Sequence, residues 1–175
     1  MFRVSLALAV LGLSAWPSSA QAARDQVAST RKPTAEASSP IDAWMKCTEC
    51  TEQDLNAVVK LGPSAVPRLG QILRDGPPAS ARQAMQNRLL ADYRNLKEFE
   101  KSHPQSKVPV TEQEYVKTYM DNFDVRYRVR SATALSRIGG AEARTYLEEA
   151  QRAPLRADVK RAVGEELERT SGSKR

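Results

Sequence analysis

Residues 127–147 read YRVRSATALSRIGGAEARTYL. The stretch reads as the end of one helix, a break at Gly139-Gly140 and the start of another, so it predicts helices over 125–138 and 141–151. Ala132, Ala134, Ala141 and Ala143 are small enough to let two such helices approach to about 8–10 Å between axes. The stretch also recurs in part. YRVRSATAL (127–135) aligns with VKRAVGEEL (159–167) at its first apolar position, at the basic residue after it and at the closing leucine. LGPSAVPRL (61–69) aligns with IGGAEARTYL (138–147), placing Ala65 on Ala143 and Leu69 on Leu147 with one gap in the turn. One helix–turn–helix unit is being used more than once.

From Ile41 onward, no run alternates with period two and β-branched clusters are scarce, so no strand is expected. The pattern predicts helices at 41–49, 52–61, 64–75, 80–101, 112–122 with 125–138 (one helix or two), 141–151 and 156–169. Thr51 with Asp54, and Thr111 with Glu114, have the spacing of capping boxes. Pro67 falls in a first turn, where its missing N–H is tolerated. In 80–101, Met85, Leu89, Tyr93, Leu96 and Phe99 form one broad apolar stripe. The final helix has a thin stripe (Val159, Ala162, Val163, Leu167) among many charges, as suits a terminal cap with a solvated outer face.

The segments Ala134-Leu135-Ser136-Arg137-Ile138-Gly139 and Leu61-Gly62-Pro63-Ser64-Ala65-Val66-Pro67-Arg68-Leu69 carry a resemblance. The chain resembles the HEAT-like repeats found in phycobilin lyases, within the armadillo-like superhelix class, over about 61–75 and 125–167. The stretch 79–124 departs from that pattern. The resulting expectation is an all-α fold, a short irregular stack of antiparallel helix pairs of the HEAT-like, armadillo-type α-solenoid kind. In such repeats the basic residue commonly pairs with an aspartate of a neighbouring turn. The resemblance thus implies an inter-repeat ladder through Asp124, Arg128, Asp158 and Lys160. Deoxyhypusine hydroxylases show that HEAT folds can be enzymes, but the His-Glu metal motifs of that group are absent from this sequence.

The chain starts MFRVSLALAVLGLSAWPSSAQA. Arg3 is a positive start, Val4–Trp16 is apolar, and Ala20-Gln21-Ala22 has the small-x-small cleavage pattern. Residues 1–22 are therefore expected to be a signal peptide cut near Ala22. The apolar stretch falls short of the roughly 20 residues of a spanning helix. Residues 23–40, rich in Ala, Ser, Thr and Pro, are expected to be a disordered leader. The helical domain is expected over 41–170 and a fraying tail over 171–175. The expected location is the periplasm or outside the cell, with no membrane span. The formal net charge is +6, but basic and acidic residues are interleaved, as in KEFEK and EELER. Such mixing marks solvated helix faces, and no basic block or nucleic-acid reading motif is present.

Cys47 and Cys50, the chain's two cysteines, lie in KCTEC. Haem attachment needs a histidine after the second cysteine, and Thr51 stands there. A zinc site needs about four ligands, and the only histidine is the distant His103. In an oxidising compartment the expected reading is a disulfide between the pair. So small a ring stabilises by only about 2 kcal/mol. An exchangeable redox pair and a metal shared with a partner are the alternatives.

Tyr115, Tyr119, Phe123 and Tyr127 recur every four residues, with Arg126, Arg128 and Arg130 interleaved. Helical spacing of aromatics points first to core packing. The sharper reading is a recognition groove formed by Tyr115, Tyr119, Tyr127, Arg126 and Arg130, in which tyrosines flank a ligand and arginines pair with carboxylates. No nucleophile–histidine pairing, carboxylate pair, phosphate loop or metal-ligand spacing is present, so no catalytic residue, metal or cofactor is expected. The function expected is that of an exported, non-enzymatic scaffold binding a protein or peptide in the cell envelope. A cell-wall glycan-binding factor and a thiol-active accessory factor are the alternatives.

Overall fold

The computed structural model describes residues 39–172. Among them, seven α-helices follow in order: α1 (Pro40–Lys46), α2 (Glu52–Val59), α3 (Val66–Asp75), α4 (Ala79–Ser102), α5 (Glu112–Ile138), α6 (Gly140–Arg152) and α7 (Ala157–Gly172). A 3-10 turn, Gly62–Ala65, joins α2 to α3. No strand occurs among the described residues, and the fold is all-α. The expected signal peptide lies outside the described residues, as does most of the expected leader.

Local chemistry explains where the helices begin and end. Ser39 caps α1 by accepting the Asp42 N–H at 3.2 Å, and Pro40 occupies the first turn. Ser39 and Pro40 therefore belong to the helical domain, not to the leader. Both expected capping boxes form: the Thr51 N–H donates to Asp54 at 2.8 Å and the Thr111 N–H to Glu114 at 2.9 Å. Gly76, at φ +80°, ends α3. A Cβ there would run into the side chains of Asp124 and Arg82. The segment 112–138 is one helix, and α7 continues through Gly172, so Ser171 and Gly172 are helical rather than part of a tail.

The centre of the fold is α5, which packs against α1, α2, α3, α4, α6 and α7. The reason lies in its C-terminal part. Ser131, Ala132, Ala134 and Leu135 are all fully buried there, and their small volumes admit neighbours from several sides. The Ser131 hydroxyl donates to the Leu69 carbonyl and pins α3 to α5. Leu69, Leu73, Leu135, Leu147, Val159 and Val163 complete the core; each such aliphatic contributes about 1.5–3 kcal/mol by leaving water.

Two expectations about packing need correction. Ala141 is exposed in the first turn of α6, and Ala143 alone makes the close contact there. Glu166, expected on a solvated face, is only 5% exposed. Its Oε1 accepts from Thr133 at 3.0 Å and Arg169 at 2.7 Å, which compensates in part for taking the carboxylate out of water.

A second region is built differently. α4 rests chiefly on α5 and buries only Leu89 and Tyr93. α5 buries nothing before Phe123. The 103–111 connection is tied back by the Tyr93 hydroxyl donating to the Val110 carbonyl at 2.9 Å and by the Val108 N–H donating to Glu100. The result is a long helical hairpin in which α5 is the main neighbour of α4. No helix among the described residues is long and apolar enough to cross a membrane.

A candidate binding groove between α4 and α5

Where the hairpin joins the core, α4 and α5 diverge around an open groove of about 440 Å³. Met85 and Leu89 of α4 face Tyr115, Phe123 and Tyr127 of α5 across it. Lys46 and Thr48, beside the cysteine pair, form one end. The local cause is the registry of two stripes. Met85, Leu89 and Tyr93 repeat every four residues on α4, as do Tyr115, Tyr119, Phe123 and Tyr127 on α5. No third helix covers the seam between them.

The aromatic residues form a graded ladder. Tyr93 and Tyr115 meet with ring centroids 5.5 Å apart, Tyr115 and Tyr119 at 4.6 Å, and Phe123 and Tyr127 at 4.7 Å, all tilted. Tyr119 is 46% exposed whereas Tyr127 is 2% exposed, so the stripe sinks from surface to core along α5. Core packing and groove lining are thus both realised, at opposite ends of one stripe. Burial pushes the Tyr127 and Tyr115 hydroxyls up from their ordinary pKa; Tyr119 and Asp92 add to the effect at Tyr115. Both tyrosines are therefore neutral donors at physiological pH.

The charges around the groove are unequal. Arg88 is held by Asp92 at 3.6 Å across one turn of α4. Arg126 is exposed, with its guanidinium 5.4 Å from the centre of the Phe123 ring. Neither Arg126 nor Lys46 pairs with an acid among the described residues. Lys46 and Arg88 carry no signal in the sequence pattern, and Met85 stands out only as part of the α4 apolar stripe. Their place at the groove depends on α1 and α4 meeting α5, and no spacing along the chain records that.

Arg130 does not join the groove. Its guanidinium donates to the carbonyls of Trp44 at 3.1 Å and Met45 at 2.9 Å and lies 5.7 Å from the centre of the Trp44 ring. The Trp44 indole N–H returns a bond to the Arg130 carbonyl at 3.1 Å. Arg130 is a clamp between α1 and α5, and burial, with Arg126 nearby, moves its pKa down.

Of the four residues expected in an inter-repeat ladder, Asp124 and Arg128 pair with each other within α5. Asp124 accepts from Arg128 one turn on at 2.6 Å and from Arg82 of α4 at 2.6 Å. Arg128 also donates to the carbonyls of Leu73 and Arg74, closing the C-terminal end of α3. Asp158 instead takes Arg156, two residues before it, at 2.6 Å, and Lys160 makes no ion pair among the described residues. The reason is local: a partner two residues away is met without any second unit.

Cys47 and Cys50 flank the α1–α2 turn with their sulfurs at disulfide-bonding distance and Cα atoms 5.4 Å apart. Both are half-buried against the core. His103, at the end of α4, stacks on Phe99 with ring centroids 4.0 Å apart. A further hollow surrounds Gly139, Gly140 and Ala141. Its two arginines are already engaged, Arg137 with Glu52 and Arg144 with Glu148. The α4–α5 groove combines an apolar floor with two cations, Lys46 and Arg126, that make no ion pair among the described residues. No family model, curated protein or solved structure matches this chain.

Proposed function

We propose that this protein is an exported, non-enzymatic scaffold of the cell envelope, built from HEAT-like helix pairs, that holds a protein or peptide segment in the α4–α5 groove. The observation that carries this reading is the open seam itself. Met85, Tyr115 and Tyr119 keep apolar and aromatic surface open to solvent there, with Arg126 and Lys46 beside it. Amphipathic and extended peptides dock into such grooves through apolar anchors, with charges setting orientation. The export signal read in residues 1–22 supports an envelope setting, and the paired short helices support the HEAT-like reading.

The test places a photo-crosslinking residue at Tyr119 and, separately, at the exposed Arg161 on α7, in the native host. A discrete protein adduct from position 119 alone is the expected result. Equal labelling at both positions, or none at either, rejects the groove. The exposure of Tyr119 beside Tyr115 favours a second reading, in which the rings stack on sugar. That reading requires co-sedimentation with purified cell-wall polymer that is lost in Tyr119→Ala.

A further inference from the structure

The chemistry of the occupant can be narrowed, taking the groove reading as given. We propose that the groove receives an acidic segment of a partner protein, with an apolar anchor on Met85, Tyr115 and Tyr119 and carboxylates against Arg126 and Lys46.

The argument is one of charge complementarity. The other arginines around this part of the fold already have partners. Arg82 and Arg128 share Asp124, Arg88 holds Asp92, and Arg130 is engaged with the α1 carbonyls. Asp92 is the only acid lining the groove, and Arg88 neutralises it. Lys46 and Arg126 are left as net positive charge at the edge of an apolar floor.

Neither cation has an internal task that explains it. Lys46 ends α1, where a cation can serve the last carbonyls, but Arg130 already bonds those of Trp44 and Met45. The Arg126 guanidinium carbon lies 5.4 Å from the centre of the Phe123 ring. Arg126 is exposed and makes no ion pair among the described residues, so its N–H fork can take a carboxylate. The Tyr127 ring is buried, lines the groove, and its hydroxyl makes no hydrogen bond among the described residues. A basic segment would meet two like charges, and a neutral one would leave them unanswered.

The experiment is a fluorescence-anisotropy titration of the full chain with three short labelled peptides. In the first, Asp and Glu flank a Leu-Phe pair; the second replaces the acids by their amides; the third replaces Leu-Phe by serines. The acidic peptide should bind about tenfold or more tightly than its amide twin, with affinity falling as salt rises. The double variant Lys46→Gln with Arg126→Gln should erase that preference and flatten the salt dependence. Lys60→Gln, an exposed change outside the groove, should do neither. The serine twin should bind weakly to all proteins.

An amide twin that binds as tightly as the acidic one, or a preference that survives the double variant, overturns the proposal. If both peptides bind equally and Tyr119→Ser weakens both, the acid preference falls while the peptide groove stands. If no peptide binds and the Tyr119 crosslink is also absent, both fall together. Binding that appears only as self-association, with dimers lost in Tyr119→Ser, also rejects the proposal, since the occupant is then a second copy.

Discussion

α3 and α4 follow one another in the chain, yet they are stabilised by different means. The ten residues of α3 bury five, whereas the 24 residues of α4 bury two. α3 lies between α5 and α6; α4 leans chiefly on α5 alone. Length and helical pattern therefore say little about how firmly a helix is held. The number of neighbours decides it, because each added neighbour removes another strip of apolar surface from water. The same difference creates the groove, which exists where the hairpin lacks a second layer. Regions with few buried contacts open most easily, and binding surfaces are commonly drawn from them.

The largest expected effect tests the well-packed half. Leu135→Ala should destabilise the whole domain by about 3–5 kcal/mol, since Leu135 is fully buried where α5 meets its neighbours. Leu96→Ala, a half-buried change in α4, should lower stability by less than about 1.5 kcal/mol. Urea unfolding followed by circular dichroism measures both. Equal losses would erase the distinction between the two regions.

Asp124→Asn comes next, because Asp124 sits at the junction of the regions. It removes the charge shared by Arg82 and Arg128, and a loss of about 1–3 kcal/mol is expected. Because Arg82 leads into α4, hydrogen exchange should rise at the start of that helix as well. Unchanged exchange there would show that the hairpin is not anchored through this pair.

The two capping boxes give a matched pair. Thr51→Ala and Thr111→Ala each remove the same kind of bond, worth about 1 kcal/mol. The first should lower the midpoint of global unfolding, since α2 is packed into the core. The second should mainly raise hydrogen exchange over residues 112–118, because that turn frays without unfolding the rest. Identical behaviour of the two variants would mean that the hairpin unfolds only with the core.

The smallest effect is expected from acid. Three hairpin carboxylates titrate below their usual range: Glu114 through the Thr111 N–H, Glu100 through Lys97 and then the Val108 N–H, and Asp121 through Lys117. A depressed folded pKa means stability that is present above the ordinary carboxylate value and lost as pH falls through the folded one. Asp54 and Asp158 on the better-packed helices are lowered likewise, so below pH of about 4 both regions lose support and the hairpin, with fewer buried contacts, should loosen first. Residue-resolved exchange at pH 3 and pH 6 reads this directly, and uniform loosening would contradict it.

Much of this was legible along the chain because it depends on near neighbours. Thr51 with Asp54 and Thr111 with Glu114 are three residues apart, and both boxes form. Pro67 lies in a first turn and glycine ends α3 and α5. Arg130 and Glu166 were misjudged for the opposite reason. The partners of Arg130 are far away in sequence, at Trp44 and Met45, and Glu166 is covered by Thr133 of another helix. Arg126 and Arg130 are one turn apart on α5, yet one is exposed and the other is clamped under α1.

Sequence alone determined that the described chain is helical, roughly where its helices lie, and that an aromatic stripe runs along α5. Those features rest on bonds and periodicities spanning a few residues. Only the tertiary structure decided that the stripe begins in an open groove and ends in the core, and that Lys46 and Arg126 stand unpaired beside it. Exposure and charge compensation are set by which helices come to lie alongside, and that depends on residues far apart in the chain.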